Sequence, residues 1–329
     1  MKSDQPSAVA GGTAGDGIPA STSADLPGRR RGPGLLQPDA ARPVPVVRPG
    51  AACGLSVALG AVTLLAAATS FFLPGVLSGP AVTQGNLRGT ALVLMVLAVP
   101  LLFASMSIAS LTSASGHSGR ALVVWLGTVA YIIYQAVLFL FGTPFNSLFL
   151  AYVAMFSLAL WSAAALMRRI DLEEFNARFD ERLPARAIAA YAAVVAALNA
   201  LAWLRIVVGA SLSDAPHAFL DGSGMTTNPV FVQDLAVWLP LLLVSSWWLW
   251  TDRPLGRLVV GALLVLLVLE GVGVATDQWF GAAADPDTPF ASRAAVPFFA
   301  GLAVIGMVPL VIHLRHLRAG RAEAAGLPR

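Results

Sequence analysis

Apolar positions in this chain come in runs of membrane-spanning length, broken by short polar or proline-bearing stretches. A hydrocarbon core of roughly 30 Å needs about 20 residues of helix to cross it. Eight runs reach that length, at 52–74, 89–110, 121–141, 146–167, 187–210, 231–251, 256–280 and 294–314. The pattern therefore predicts an all-α fold, a polytopic bundle of eight transmembrane helices within residues 50–316. Pro74, Pro144 and Pro254 mark ends of runs, while Pro100, Pro240, Pro297 and Pro309 fall inside them. Each interior proline beyond a first turn removes a helix hydrogen bond and is expected to kink its helix.

Residues 1–49 are rich in Gly, Ala, Ser, Pro and Arg and show no periodicity, so they are expected to form a disordered tail. Residues 317–329 read as a second, short tail. Positive charge then sets the orientation. With the amino terminus inside, the cytoplasmic segments collect Lys2 and seventeen arginines, and the opposite side only Arg88 and Arg293. Both termini are accordingly expected in the cytoplasm of a bacterial cell, with the bundle in its plasma membrane. Removing one span between them would put Arg168, Arg169 and the carboxy-terminal arginines on opposite sides, so the asymmetry also checks the span count.

Composition narrows the chemistry. Of 329 residues, 57% are hydrophobic and only 12% charged, about half the charged share of a soluble domain. The mean hydropathy is +0.74. The arginines flank apolar runs instead of forming one basic patch, which argues against nucleic acid as a partner. Cys53 is the only cysteine, so an internal disulfide, a CxxC pair and a multi-thiolate zinc site are excluded. No HExxH, GxSxG, P-loop or GxGxxG stands in a usable context, and Asp285 and Asp287 have no second acidic cluster to share a metal. The expectation is no catalytic residue, no metal and no cofactor. Enzyme is the minority class.

The seventh run carries the costliest residue. Glu270 lies near its middle, where an ionised acid costs on the order of 2.5–3.5 kcal/mol, so it should face protein or water. Counting at about 1.5 Å per residue puts the other intramembrane polar groups in the outer half. These are Tyr134 and Gln135 in the third span, Asn146 opening the fourth, Arg205 in the fifth, Asp234 in the sixth and Asp277 in the seventh. Gly273 and Asp277 follow Glu270 by three and seven residues, on one helical face. Arg205 and Asp234 match in depth and form the expected ion pair, with Asn199 able to join either network. Together Glu270, Arg205, Asp234, Asp277, Tyr134, Gln135 and Asn146 make a candidate ligand or proton pathway open to the outer face.

Outside the spans, Leu172, Phe175, Phe179 and Leu183 recur at helical spacing in the loop 168–186. This predicts a short amphipathic helix on the membrane surface or against the bundle, with docking of a protein partner as the sharper reading. His313 and His316 end the eighth span beside arginines and read as an interfacial basic end. Thr143-Pro144-Phe145 and Thr288-Pro289-Phe290 precede the fourth and eighth spans, as a parallel duplication of four spans would produce.

Two stretches carry a resemblance. Tyr134-Gln135, Phe141-Gly142 and Phe145-Asn146-Ser147-Leu148-Phe149-Leu150-Ala151-Tyr152 form the first. Asn228-Pro229, Asp234-Leu235-Ala236, Leu239-Pro240 and Arg253-Pro254-Leu255-Gly256 form the second. Over about residues 125–280 the chain resembles a group of uncharacterised bacterial polytopic membrane proteins. That likeness implies an eight-span bundle and no activity. The functional expectation is a transporter-like or small-ligand-binding membrane protein in the lipid bilayer, its ligand an ion or small molecule. The alternatives are a scaffold or sensor component acting through residues 168–186, and, more weakly, a lipid- or isoprenoid-modifying enzyme.

Overall fold

The computed structural model describes residues 50–111 and 116–318. The expected tail over 1–49, and residues 319–329 of the second tail, lie outside the described residues. Among those described, the fold is all-helical, and eight helices are long and apolar enough to cross a membrane. They run Ala51–Phe72, Ala81–Leu111, His117–Phe141, Phe149–Met167, Ala185–Ser211, Pro229–Trp250, Pro254–Ala284 and Arg293–Arg315.

The second helix begins eight residues earlier than the hydropathy pattern suggests. Gln84, Asn86 and Arg88 dilute its apolar signal, but Pro80 leads the chain into a helix at Ala81. Gly85 and Gly89, four apart, make that extension pack. A Cβ on Gly85 would stand 2.5 Å from the Phe280 carbonyl, and one on Gly89 would stand 2.8 Å from the Asp277 amide. Only glycine lets the two backbones approach so closely, the device that small residues supply in membrane bundles.

The third and seventh helices form the centre. Of their apolar stretches 72% and 67% are buried, against no more than 44% in any other span. Gly127 sets them together, because a Cβ there would lie 2.5 Å from the Ala262 carbonyl. Around this pair the exposed face is apolar, with Leu65, Trp161, Leu198, Leu201 and Val304 among its residues, as lipid contact requires.

Loops meet at two ends. At the arginine-rich end, Asp171 caps a short helix, Leu172–Ala177, by accepting from the Glu174 amide at 3.0 Å. Phe175 is fully buried and Phe179 nearly so, both within the main core. The Asn176 amide donates to the Pro254 carbonyl at 3.0 Å, and Arg120 donates to the Leu317 carbonyl at 2.8 Å. A single antiparallel bridge joins Phe179 to Leu317. Arg318 pairs with Asp180, so Leu317 and Arg318 belong to the folded bundle. Phe175 and Phe179 of this loop thus pack into the bundle, while Leu172 and Leu183 stay half-buried. At the opposite end, Thr83 donates to the Ser223 carbonyl at 2.8 Å and Thr143 to the Ser78 carbonyl at 3.1 Å.

Two interior prolines are accommodated by widened turns. Leu94–Ala98 and Asp234–Trp238 are π-helical, and each ends two residues before Pro100 or Pro240. The amides of Val99 and Leu239 reach back five residues, to Leu94 and Asp234. The extra residue in each turn moves a carbonyl away from the pyrrolidine ring it would otherwise meet. These turns sit in the second and sixth spans, and the central helices are the third and seventh. Both pairs repeat the four-span interval of the two Thr-Pro-Phe triplets.

Candidate functional site

The site grows from the seventh helix. Glu270 lies sixteen residues from its start at Pro254 and fourteen from its end at Ala284. That keeps it near the middle, as expected. Asp277 stands seven residues before Ala284, deeper than the sequence pattern placed it, because the helix continues past Phe280.

Each acid has a neutral partner from another helix. The Gln135 amide donates to Glu270 Oε2 at 2.7 Å. Thr90 Oγ1 donates to Asp277, at 3.0 Å from Oδ1 and 3.1 Å from Oδ2. Trp203 Nε1 donates to Asp234 Oδ2 at 2.8 Å. Asp234 is 5% exposed and supplies the carbonyl that closes the π turn of the sixth helix. Such turns concentrate at functional sites, since they re-aim a side chain without breaking the helix.

A cavity of about 50 Å³ joins two of these acids. Tyr134, Asn199, Asp234, Trp238 and Glu270 line it, with leucines closing the remainder. It has room for a few water molecules, far below the several hundred Å³ of a typical organic-ligand pocket. Asp234 and Glu270 both line it, together with leucines as far along the seventh helix as Leu263.

Arg205 does not join the set. It is exposed and has no ion pair, and Trp203 occupies the place expected of it beside Asp234. Two residues along a helix turn the side chain by about 200°, so Trp203 and Arg205 face opposite ways. Matching depth was right for a contact and silent about the face. Asn146 is also elsewhere: its carbonyl oxygen accepts from the Leu148 amide at 2.9 Å, shaping the turn into the fourth helix. The structure therefore brings together Tyr134, Gln135, Asp234, Glu270 and Asp277, and leaves out Arg205 and Asn146.

Among the described residues, the only pairs between basic and acidic side chains are Arg178–Glu174, Arg257–Asp252 and Arg318–Asp180. Among the described residues, no basic nitrogen comes within 4.0 Å of Asp234, Glu270 or Asp277. Nor do three His, Cys, Asp or Glu side chains converge closely enough among the described residues to hold a metal ion. Asp234 is buried and Glu270 and Asp277 are half-buried, and carboxyl groups so placed without a fixed counter-cation are expensive when ionised, unless a proton or another mobile cation joins them.

Sequence reasoning missed Thr90, Tyr131 and Trp203. Thr90 lay at the supposed start of the second span. Tyr131 precedes Gln135 by one helical turn, a spacing that was available but unused. His313 is a separate surprise. It is fully buried, edge-on to Phe179 with centroids 5.1 Å apart, and neither ring nitrogen has a hydrogen-bond partner. The expected interfacial basic end is therefore corrected: the loop over the arginine-rich end covers it. His316 Nδ1 lies 2.8 Å from the Ile312 carbonyl.

No protein-family model, no curated protein and no solved structure matches this chain, so its site is read from its own geometry.

Proposed function

We propose that this chain is a transporter-like membrane protein that handles an ion through the Asp234–Glu270–Asp277 row. In this reading Glu270 exchanges a proton with the cargo. The carrying observation is that Asp234, buried, and Glu270 and Asp277, half-buried, meet neutral hydrogen-bond donors from other helices and, among the described residues, no cation within 4.0 Å. A structural acid in a helix bundle is ordinarily matched by a base or left as a single bridging group, whereas an intramembrane acid facing water is by default functional. The small cavity favours a proton or another small cation over an organic ligand. The arginine asymmetry favours placing the loop over 168–186 in the cytoplasm, so the Asp277 side of the row would face outwards across a bacterial plasma membrane.

The test is proton movement in proteoliposomes with an entrapped pH dye, a potassium diffusion potential supplying the driving force. Wild-type protein is expected to move protons at least tenfold faster than Glu270→Gln. Equal rates for the two proteins would reject the reading.

A further inference from the structure

Tyr131 sits where the row of acids has a gap. Glu270 and Asp277 are seven residues apart on the seventh helix, about 10 Å along its axis, too far for direct proton exchange. Gly273 lies between them, three residues after one and four before the other. The Tyr131 hydroxyl fills the notch that this glycine leaves, since a Cβ on Gly273 would be 2.9 Å from it.

Two further observations bear on that hydroxyl. Tyr131 is 0% exposed, and its oxygen has no well-formed hydrogen bond. The Gln135 amide is its polar neighbour, and the Gln135 Oε1 atom is likewise buried and unpartnered. A buried phenol left unpaired is costly, so in a purely structural role phenylalanine would serve here better than tyrosine. A phenol beside Gly273, which lies between Glu270 and Asp277 in the helix, can instead act as both donor and acceptor.

We infer that Tyr131 relays protons between Asp277 and Glu270, on the arginine-poor side of the Glu270 exchange proposed above, on which this step rests. In the forward step the Asp277 carboxyl gives its proton to the phenol oxygen while the phenol gives its own to the Glu270 carboxylate. One O–H bond breaks and one forms at each transfer, Asp277 ends ionised, Glu270 ends protonated, and Tyr131 returns neutral. Rotation of the hydroxyl resets it. Thr90 donates to Asp277 and Gln135 donates to Glu270, fixing the two carboxyl groups of the relay. Asp234 of the sixth helix, Tyr134 of the third and Asn199 of the fifth share the cavity that Glu270 lines.

Infrared spectroscopy of the full chain in lipid, following carboxyl bands after a rapid pH change, tests the relay without needing the cargo. Glu270→Gln identifies the Glu270 band. In Tyr131→Phe that band should appear at least tenfold more slowly, with the thermal midpoint no lower than wild type, because no hydrogen bond is lost. Gly273→Ala keeps the phenol but crowds its oxygen, and should slow the band as well. An unchanged rate in both variants overturns the relay and leaves the Glu270 reading standing. A spectrum in which Glu270→Gln removes no band overturns both.

Discussion

At the scale of single residues, the neighbours of Asp234 decide what kind of site this is. Trp203 gives it one neutral hydrogen bond at 2.8 Å, and Arg205 points elsewhere. Trp203→Phe removes that donor and leaves a buried carboxyl short of a partner, so unfolding in detergent should show a loss of about 1–3 kcal/mol. Arg205→Ala should fall within about 0.5 kcal/mol of wild type in the same assay, the usual range for an exposed position. The reverse order of effects would restore the Arg205–Asp234 pair expected from depth alone. Residue types and depths were legible in the sequence. The face was not, because apolar residues surround Arg205 and the fifth helix has no strong stripe by which to orient it.

At the scale of elements, glycines and loops set the packing. Gly89→Leu would drive a side chain into the Asp277 backbone and separate the second helix from the seventh, releasing Thr90 from its carboxyl. The expected result is at least the 1–3 kcal/mol of an overpacked core. A calorimetric or urea titration that showed no change would mean the two backbones are not in contact. Phe175→Ala should cost about 3 kcal/mol and expose the loop over residues 168–186 to protease, since that ring is fully buried. One ionic tie of this loop carries a pH signature. The Arg182 amide and the Arg318 guanidinium hold the Asp180 carboxyl below its ordinary range. A lowered folded value means the tie stabilises the loop at neutral pH and above about 3.9, the unfolded value, and is lost as acid carries the pH down through the folded value. The 3-4-4 spacing of Leu172, Phe175, Phe179 and Leu183 announced a buried face. It overestimated the helix, which ends at Ala177 and hands Phe179 to the bridge with Leu317.

At the scale of the whole molecule, the span count was the most legible property. Apolar length and the arginine asymmetry each point to eight crossings, and eight helices of the required length are present among the described residues. Orientation is open to a direct measurement. With Cys53 replaced by serine, an impermeant maleimide added to intact cells should label Ser213→Cys and leave Glu173→Cys unlabelled until the membrane is permeabilised. The opposite result would invert the topology. What the sequence could not display was which helices lie at the centre. Hydropathy treats lipid and protein as equivalent surroundings, so the enclosed third and seventh helices look like the exposed fourth and eighth.

The mid-helix position of Glu270 has an electrical side as well. A charge that reaches halfway through the bilayer crosses about half of the transmembrane potential, worth about 1 kcal/mol per 100 mV. Each proton that arrives there from the arginine-poor side would therefore perform work in the field before any cargo moved. If Glu270 exchanges protons as proposed, its occupancy would change roughly sevenfold per 100 mV, so the acid would respond to membrane voltage as well as to proton concentration.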